Sequence, residues 1–152
     1  TITSEGVMWG WRVLSPGAPF TEGAAYGQAR KIMVVMSDGV NGLAENVADW
    51  SAPTVSDYSA YGYVRSGRFA EWTFGRAEDH LNDRMALACE NAKKAGIEIY
   101  TVLFRENNTK AVNAMKTCAT TGKHFYIATS QSALLEAFAE IAGEIGQLRL
   151  VK

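Results

Sequence analysis

The chain has 152 residues, 47% hydrophobic and 20% charged, an ordinary composition for one globular domain with a real core. Fifteen basic residues stand against sixteen acidic ones, a net charge of -1, with no basic stripe and no Lys/Arg-rich amphipathic helix. That balance speaks against nucleic acid and against a membrane-surface helix, and the longest apolar run is far short of a bilayer span.

The first segment, "SEGVMWGWRVLSPGAPF", opens on a cap-like Ser4 and carries Val7, Met8, Trp11 and Leu14 at helical spacing. Ser15-Pro16-Gly17 ends it, because Pro16 disfavours helix at Ser15. Ile32 to Met36 is an unbroken apolar run and predicts a strand buried on both faces, as in the middle of a parallel sheet. It stops at Ser37-Asp38-Gly39. A carboxylate there stands where open α/β sheets place their ligands. A turn-forming aspartate before glycine is the plainer reading.

From Gly39 to about Phe74 no regular element is predicted, although Trp50, Tyr58, Tyr61, Tyr63 and Trp72 make simple disorder a poor account. Loops this long inside a domain are often functional. Helical periodicity returns from Arg76 to Ala95, through Leu81, Met85, Ala88 and Ala92, and Gly96 supplies a stop. A strand follows at Ile97 to Phe104, a short helix at Thr109 to Thr120, and a third strand at His124 to Ala128. Thr129-Ser130 caps a last helix with Leu134, Leu135, Phe138, Ile141 and Ile145 on one face, and "LRLVK" closes the chain.

Strands alternating with helices imply a parallel α/β sheet with right-handed crossovers, here one domain over residues 1–152. Three strands are thin for that class, and the first has the apolar look of a central strand. One or more strands are therefore expected ahead of Thr1, and the chain is expected to be a piece of a longer one.

Candidate chemistry is sparse. Glu5, Asp79 and Glu98 show no pairing that favours catalysis and are read as surface charge. His124 opens a strand and is read as a packing or hydrogen-bonding residue. A small hydrolase using Ser37 and Asp38 at a strand end would need a nearby histidine base, and His80 is the candidate in the chain. No nucleophile elbow, phosphate loop or dinucleotide fingerprint accompanies it. Cys89 and Cys118 lack zinc spacing and are either buried thiols or a disulfide. Pairing them would close a loop of about 30 residues, worth roughly 3.5 kcal/mol in the chain-entropy model.

Several strings carry a resemblance across most of the chain. They are "TITSEGVMWGWRVLSP" followed by "PF", "KIMVVMSDGVN", "YSAYGY", "LNDRMALACENAKKAGIEIYTVLF", "CAT" followed by "HFYIA", and "LLEAFAEIAGEIGQLRLVK". Together they resemble the C-terminal part of a von Willebrand factor A-like domain, in pilus-assembly proteins of the TadG type from the tight-adherence (Flp) system. The resemblance implies a Rossmann-like three-layer sandwich of the von Willebrand A type, N-terminally truncated, with about three parallel strands flanked by helices. It also implies a non-enzymatic adhesion or assembly module that is periplasmic or at the cell surface, its parent anchored in the membrane through an upstream segment.

In that family a metal-ion-dependent adhesion site takes an Asp-x-Ser-x-Ser segment, a threonine and an aspartate. Thr1 fits the threonine, with Gly6 five residues later, and Asp38 fits the aspartate. The serine segment lies upstream of the threonine in the family and is absent here. The resemblance thus implies a site for Mg²⁺ in the full parent and weak or no binding by this chain, whose ligands are too few. It implies a Cys89–Cys118 disulfide, both positions being typical of the group, and makes the Tyr58, Tyr61 and Tyr63 loop a candidate surface for a pilus-assembly or surface partner. Losing the first strands would bare the backbone edge of Ile32 to Met36. The missing N-terminal part of the domain or a second copy is then expected to cover that edge.

Overall fold

The computed structural model describes residues 1–43, 56, 58–66, 68 and 73–147. Helix α1 (Thr3–Leu14) leads to strand β1 (Lys31–Ser37). Helix α2 (Phe74–Lys94) and strand β2 (Ile97–Phe104) follow, then α3 (Thr109–Cys118), β3 (Phe125–Ala128) and α4 (Gln131–Gln147). The three strands form one parallel sheet in the order β1-β2-β3. Lys31 to Ser37 pair in register with Ile97 to Leu103, and Thr101 to Phe104 with Phe125 to Ala128. The α/β class with an open parallel sheet and four flanking helices is as the alternating pattern predicts.

The layers follow from the alternation of side chains along each strand. Met33 and Val35 of β1, Ile99 and Leu103 of β2 and Phe125 of β3 turn to one face, against α1, α2 and α3. Tyr100 and Val102 turn to the other face, with Ile32 and Tyr126, and are covered by Leu134, Ile141 and Ile145 of α4. Helix α1 packs close on β1 at Gly10, where an added Cβ would come within 3.1 Å of the Met33 sulfur. Gly96, at φ 83°, terminates α2 in the left-handed conformation that costs glycine nothing.

Local sequence accounts for most element ends. Thr73 Oγ1 accepts from Arg76 N, Asn108 Oδ1 from Lys110 N at 2.9 Å, and Ser130 Oγ from Ala133 N at 3.1 Å. Each is a polar N-cap of the expected kind. Ser15 adopts the extended conformation before Pro16 that ends α1.

Three expectations need correction. Ser4 does not cap α1: the N-cap position is Ile2, and Asn41, beyond β1, accepts the Ser4 N–H instead. Strand β1 is not buried on both faces, since Val34 is 40% and Met36 43% exposed on the side that α4 leaves uncovered. It is an edge of the sheet among the described residues, the position expected when the strands that would lie beside it are missing. His124 ends a short 3-10 turn, Gly122–His124, and β3 starts one residue later. The readings placed on residues 44–55, 57, 67, 69–72 and 148–152, including Trp50, Trp72 and "LRLVK", fall outside the described residues.

Candidate functional site

The carboxyl end of β1 is built from short polar residues. Ser37 is buried, and its hydroxyl donates to Gly39 O at 3.0 Å and receives the Thr3 hydroxyl at 3.4 Å. Asp38, the next residue, is exposed. The chain start is stitched to the loop beyond it. The Thr1 amino group donates to Gly42 O at 3.1 Å, and Gly42 N donates to Thr1 O at 2.8 Å. Asn41 Oδ1 accepts from Ser4 N at 3.4 Å, tying the α1 N-terminus to the same loop.

Thr1 and Asp38 therefore flank one loop, but the hydroxyls that meet there are those of Thr3 and Ser37. The donors suit a hard cation in kind, being oxygens, and fall short of it in number. Among the described residues no three acidic, histidine or cysteine side chains gather to hold a metal.

The serine has no histidine at hand among these contacts. Its hydroxyl is engaged by Thr3 and Gly39. His80 lies on α2, where its Nε2 accepts from Arg84 Nε at 3.0 Å. His124 precedes β3, at the opposite end of the sheet from Ser37.

One residue of this end was not foreseen. Arg105 follows β2 at φ 53°, a left-handed conformation that costs a side-chain-bearing residue about 1–2 kcal/mol. The last residue of β2 paired with β1 is Leu103, opposite Ser37, two residues before it. Nothing in "FREN" marks it, because the strain comes from the strand-to-helix connection. Arg105 N donates to Ala128 O at 2.8 Å, so β3 fixes that connection from the other side.

The tyrosine loop divides in two. Ser59 and Gly62 exchange backbone hydrogen bonds, 2.8 and 3.2 Å, around a tight turn. Tyr58 is 71% exposed and meets Tyr63 edge to face at 5.2 Å. Tyr61 points the other way. Its hydroxyl donates to Glu5 on α1, and Arg84 of α2 lies over its ring at 4.9 Å. Burial, then the Glu5 carboxylate, raise its pKa, against the opposing pull of Arg84.

Cys89 and Cys118 are joined, with Cα atoms 5.0 Å apart, linking α2 to α3. Glu98 is not the surface charge its sequence context implies. Its carboxylate accepts from Arg30 at 2.6 and 2.9 Å and from the Tyr100 hydroxyl at 3.0 Å, with His124 Nε2 at 3.1 Å. Burial pushes its pKa up, but the bonds from Arg30 and Tyr100 and the nearby positive charge outweigh that and hold it low. The single Tyr100 proton is shared between Glu98 and Glu144 of α4, each 3.0 Å from the hydroxyl oxygen, and burial with these two carboxylates raises the Tyr100 pKa. These groups lie at the amino end of the strands, away from Asp38. Asp79 pairs with Lys110 at the surface, at 2.6 Å.

The fold is similar to part of a pilus adhesin. Two crystal structures of SpaC from Lactobacillus rhamnosus GG, one in an open conformation and one in a second form, each match with a TM-score of 0.57 over 95% of this chain. Identity is 16% and 15%, so the likeness is one of fold. The chain spans 19% of the length of those adhesins. No protein-family model and no curated protein matches the sequence. No described helix is long and apolar enough to cross a membrane.

Proposed function

We propose that this chain is the C-terminal portion of a von Willebrand factor A-like domain from a TadG-type protein of the tight-adherence pilus system. It acts as a non-enzymatic adhesion or assembly module and meets a pilus or surface protein at the carboxyl edge of the sheet. The observation that carries this reading is the fold shared with a pilus adhesin over 95% of the chain, with exposed Asp38 at the strand end where such sheets bind. The "YSAYGY" turn supports it by presenting Tyr58 outward. The disulfide fits a periplasmic or cell-surface location, and the parent is anchored through an upstream segment.

Mg²⁺ binding belongs to the full parent, where an upstream serine segment would join Thr1 and Asp38 as oxygen ligands. In this chain the edge binds through the exposed Asp38 and the tyrosine turn. The bare edge of β1 is covered by the missing N-terminal part of the domain or by a second copy.

The test is surface plasmon resonance with purified Flp pilus fibres flowed over the immobilised chain. Saturable binding that Asp38→Ala weakens about tenfold is expected, the loss of one charge-assisted contact. Absence of binding, or equal binding by the variant, overturns the proposed edge. Ester hydrolysis that depends on Ser37 would overturn the non-enzymatic reading as well.

A further inference from the structure

A groove of about 390 Å³ runs between α1 and α2, within the roughly 300–1,000 Å³ usual for small binding sites. Met8 and Trp11 of α1 and Leu87 and Ala88 of α2 supply its apolar lining, and Leu87 is 58% exposed. Tyr61 closes one end, fixed by its bond to Glu5. The polar lining is lopsided: the guanidiniums of Arg12 and Arg84 accompany one carboxylate, Glu5, which already accepts from Tyr61. This positive bias stands on a chain whose net charge is -1.

A second, independent observation marks the groove as a site. Ser4 lines it, is 2% exposed, and its hydroxyl has no hydrogen-bond partner. Burying an unpaired hydroxyl costs on the order of 1–3 kcal/mol. Its backbone N–H is taken by Asn41, so the loop that holds the α1 terminus leaves only the side chain unserved. A hydroxyl both gives and takes a hydrogen bond. An oxygen of a bound ligand is the partner that would serve it.

We propose that this groove binds a short peptide segment of a protein partner that presents an apolar side chain followed by a carboxylate. The apolar side chain lies on Met8, Trp11 and Leu87. The carboxylate meets Arg84, whose guanidinium carries five N–H donors, of which Nε–H serves His80 and another serves the Tyr61 hydroxyl. A peptide oxygen takes the Ser4 hydroxyl. The peptide is preferred over a free anion because most of the lining is apolar, and over a neutral peptide because of the two guanidiniums. The groove stands apart from the reading at Asp38 and does not rest on it.

The test is a ¹H–¹⁵N titration of the whole chain with two probes, N-acetyl-Ala-Leu-Glu-amide and N-acetyl-Ala-Leu-Gln-amide. The expected result is saturable shifts confined to the Trp11 indole N–H and the Ser4 and Arg84 amides. The acidic probe should bind about tenfold tighter, and Arg84→Gln should erase that preference. Ser4→Ala should weaken binding several-fold while leaving Tm unchanged or higher, since the fold loses only an unserved hydroxyl. Asp38→Asn should leave the titration unaltered, which separates this site from the strand end. Absence of saturation, scattered shifts, or equal affinity for the two probes overturns the proposal. A lowered Tm in Ser4→Ala also overturns it, because the hydroxyl would then have a structural partner.

Discussion

Strands β1 and β2 lie side by side, and both read in the sequence as apolar runs, yet their surroundings are opposite. Around β2 every side is fastened. Helices α2 and α3 cover one face and α4 the other, leaving Ile99, Tyr100, Val102 and Leu103 essentially inaccessible. A disulfide ties α2 to α3, and the Glu98 carboxylate draws together Arg30, Tyr100 and His124. Lys93 bonds the carbonyls of Thr117 and Ala119 at 2.8 and 3.2 Å. Among the described residues one face and one edge of β1 are open, and the polar contacts linking its carboxyl end to α1 are long, 3.4 Å at both Thr3–Ser37 and Ser4–Asn41. The closed half is a scaffold. The open half holds the strand end and the α1 wall of the groove, which is the expected division between a rigid frame and a binding surface.

Breaking the frame should cost the most. Replacing Cys89 and Cys118 with alanine, or reducing the bond, frees a loop of 29 residues. The chain-entropy model gives a loss of roughly 3.5 kcal/mol. Urea unfolding with and without dithiothreitol measures it. A midpoint indifferent to reduction would mean that the scaffold does not depend on this link.

Glu98 sharpens the comparison at the next level. Glu98→Gln removes the charge that Arg30 and His124 face, at a cost of about 2 kcal/mol for charge-assisted bonds in a half-buried place. The pH dependence has a definite sign. Arg30 and Tyr100 hold the folded carboxyl below its usual value despite burial. The stabilisation is therefore complete above the unfolded pKa, about 4.3, and is lost as pH falls through the lower folded value. Chemical denaturation from pH 6 downward should show the wild type losing this margin and Glu98→Gln losing less. Parallel curves would mean that Glu98 is no better placed folded than unfolded.

The scaffold was also the more legible half. Spacing alone located α2 within two residues at its start, because Leu81, Met85, Ala88 and Ala92 repeat on the buried face. It placed β2 from Ile97 to Phe104 as observed. What escaped were contacts between residues distant in the chain. Ser4 looked like a cap because serine before an apolar period usually is one, but Asn41 takes that part from 37 residues away. Glu98 looked like surface charge because Arg30 lies 68 residues before it. The groove mixes residues of two helices, so neither Met8 and Trp11 nor Leu87 announces it alone. The apolar run of β1 misled for a different reason: its composition reports what the strand is suited to meet, and the open face shows what it meets here.

That mismatch supplies the smallest effect on stability and the sharpest test of the open half. Val34 is 40% exposed on β1, and a lysine there should change folding stability by no more than about 0.5 kcal/mol. Its effect on association should be large. An apolar edge strand of seven residues offers a row of backbone groups for pairing, and a lysine is the usual guard against it. If a second copy or a separate N-terminal piece covers this edge, sedimentation of the wild type will show a dimer or a bound second peptide. Val34→Lys will then release a monomer with an unchanged unfolding midpoint. Ile127→Lys on β3, at the far edge and in a strand of only four residues, should leave the assembly intact. A wild-type monomer carrying no added strand removes both forms of the edge proposal. The exposed Val34 and Met36 would then be a tolerated surface of the open half rather than half of an interface.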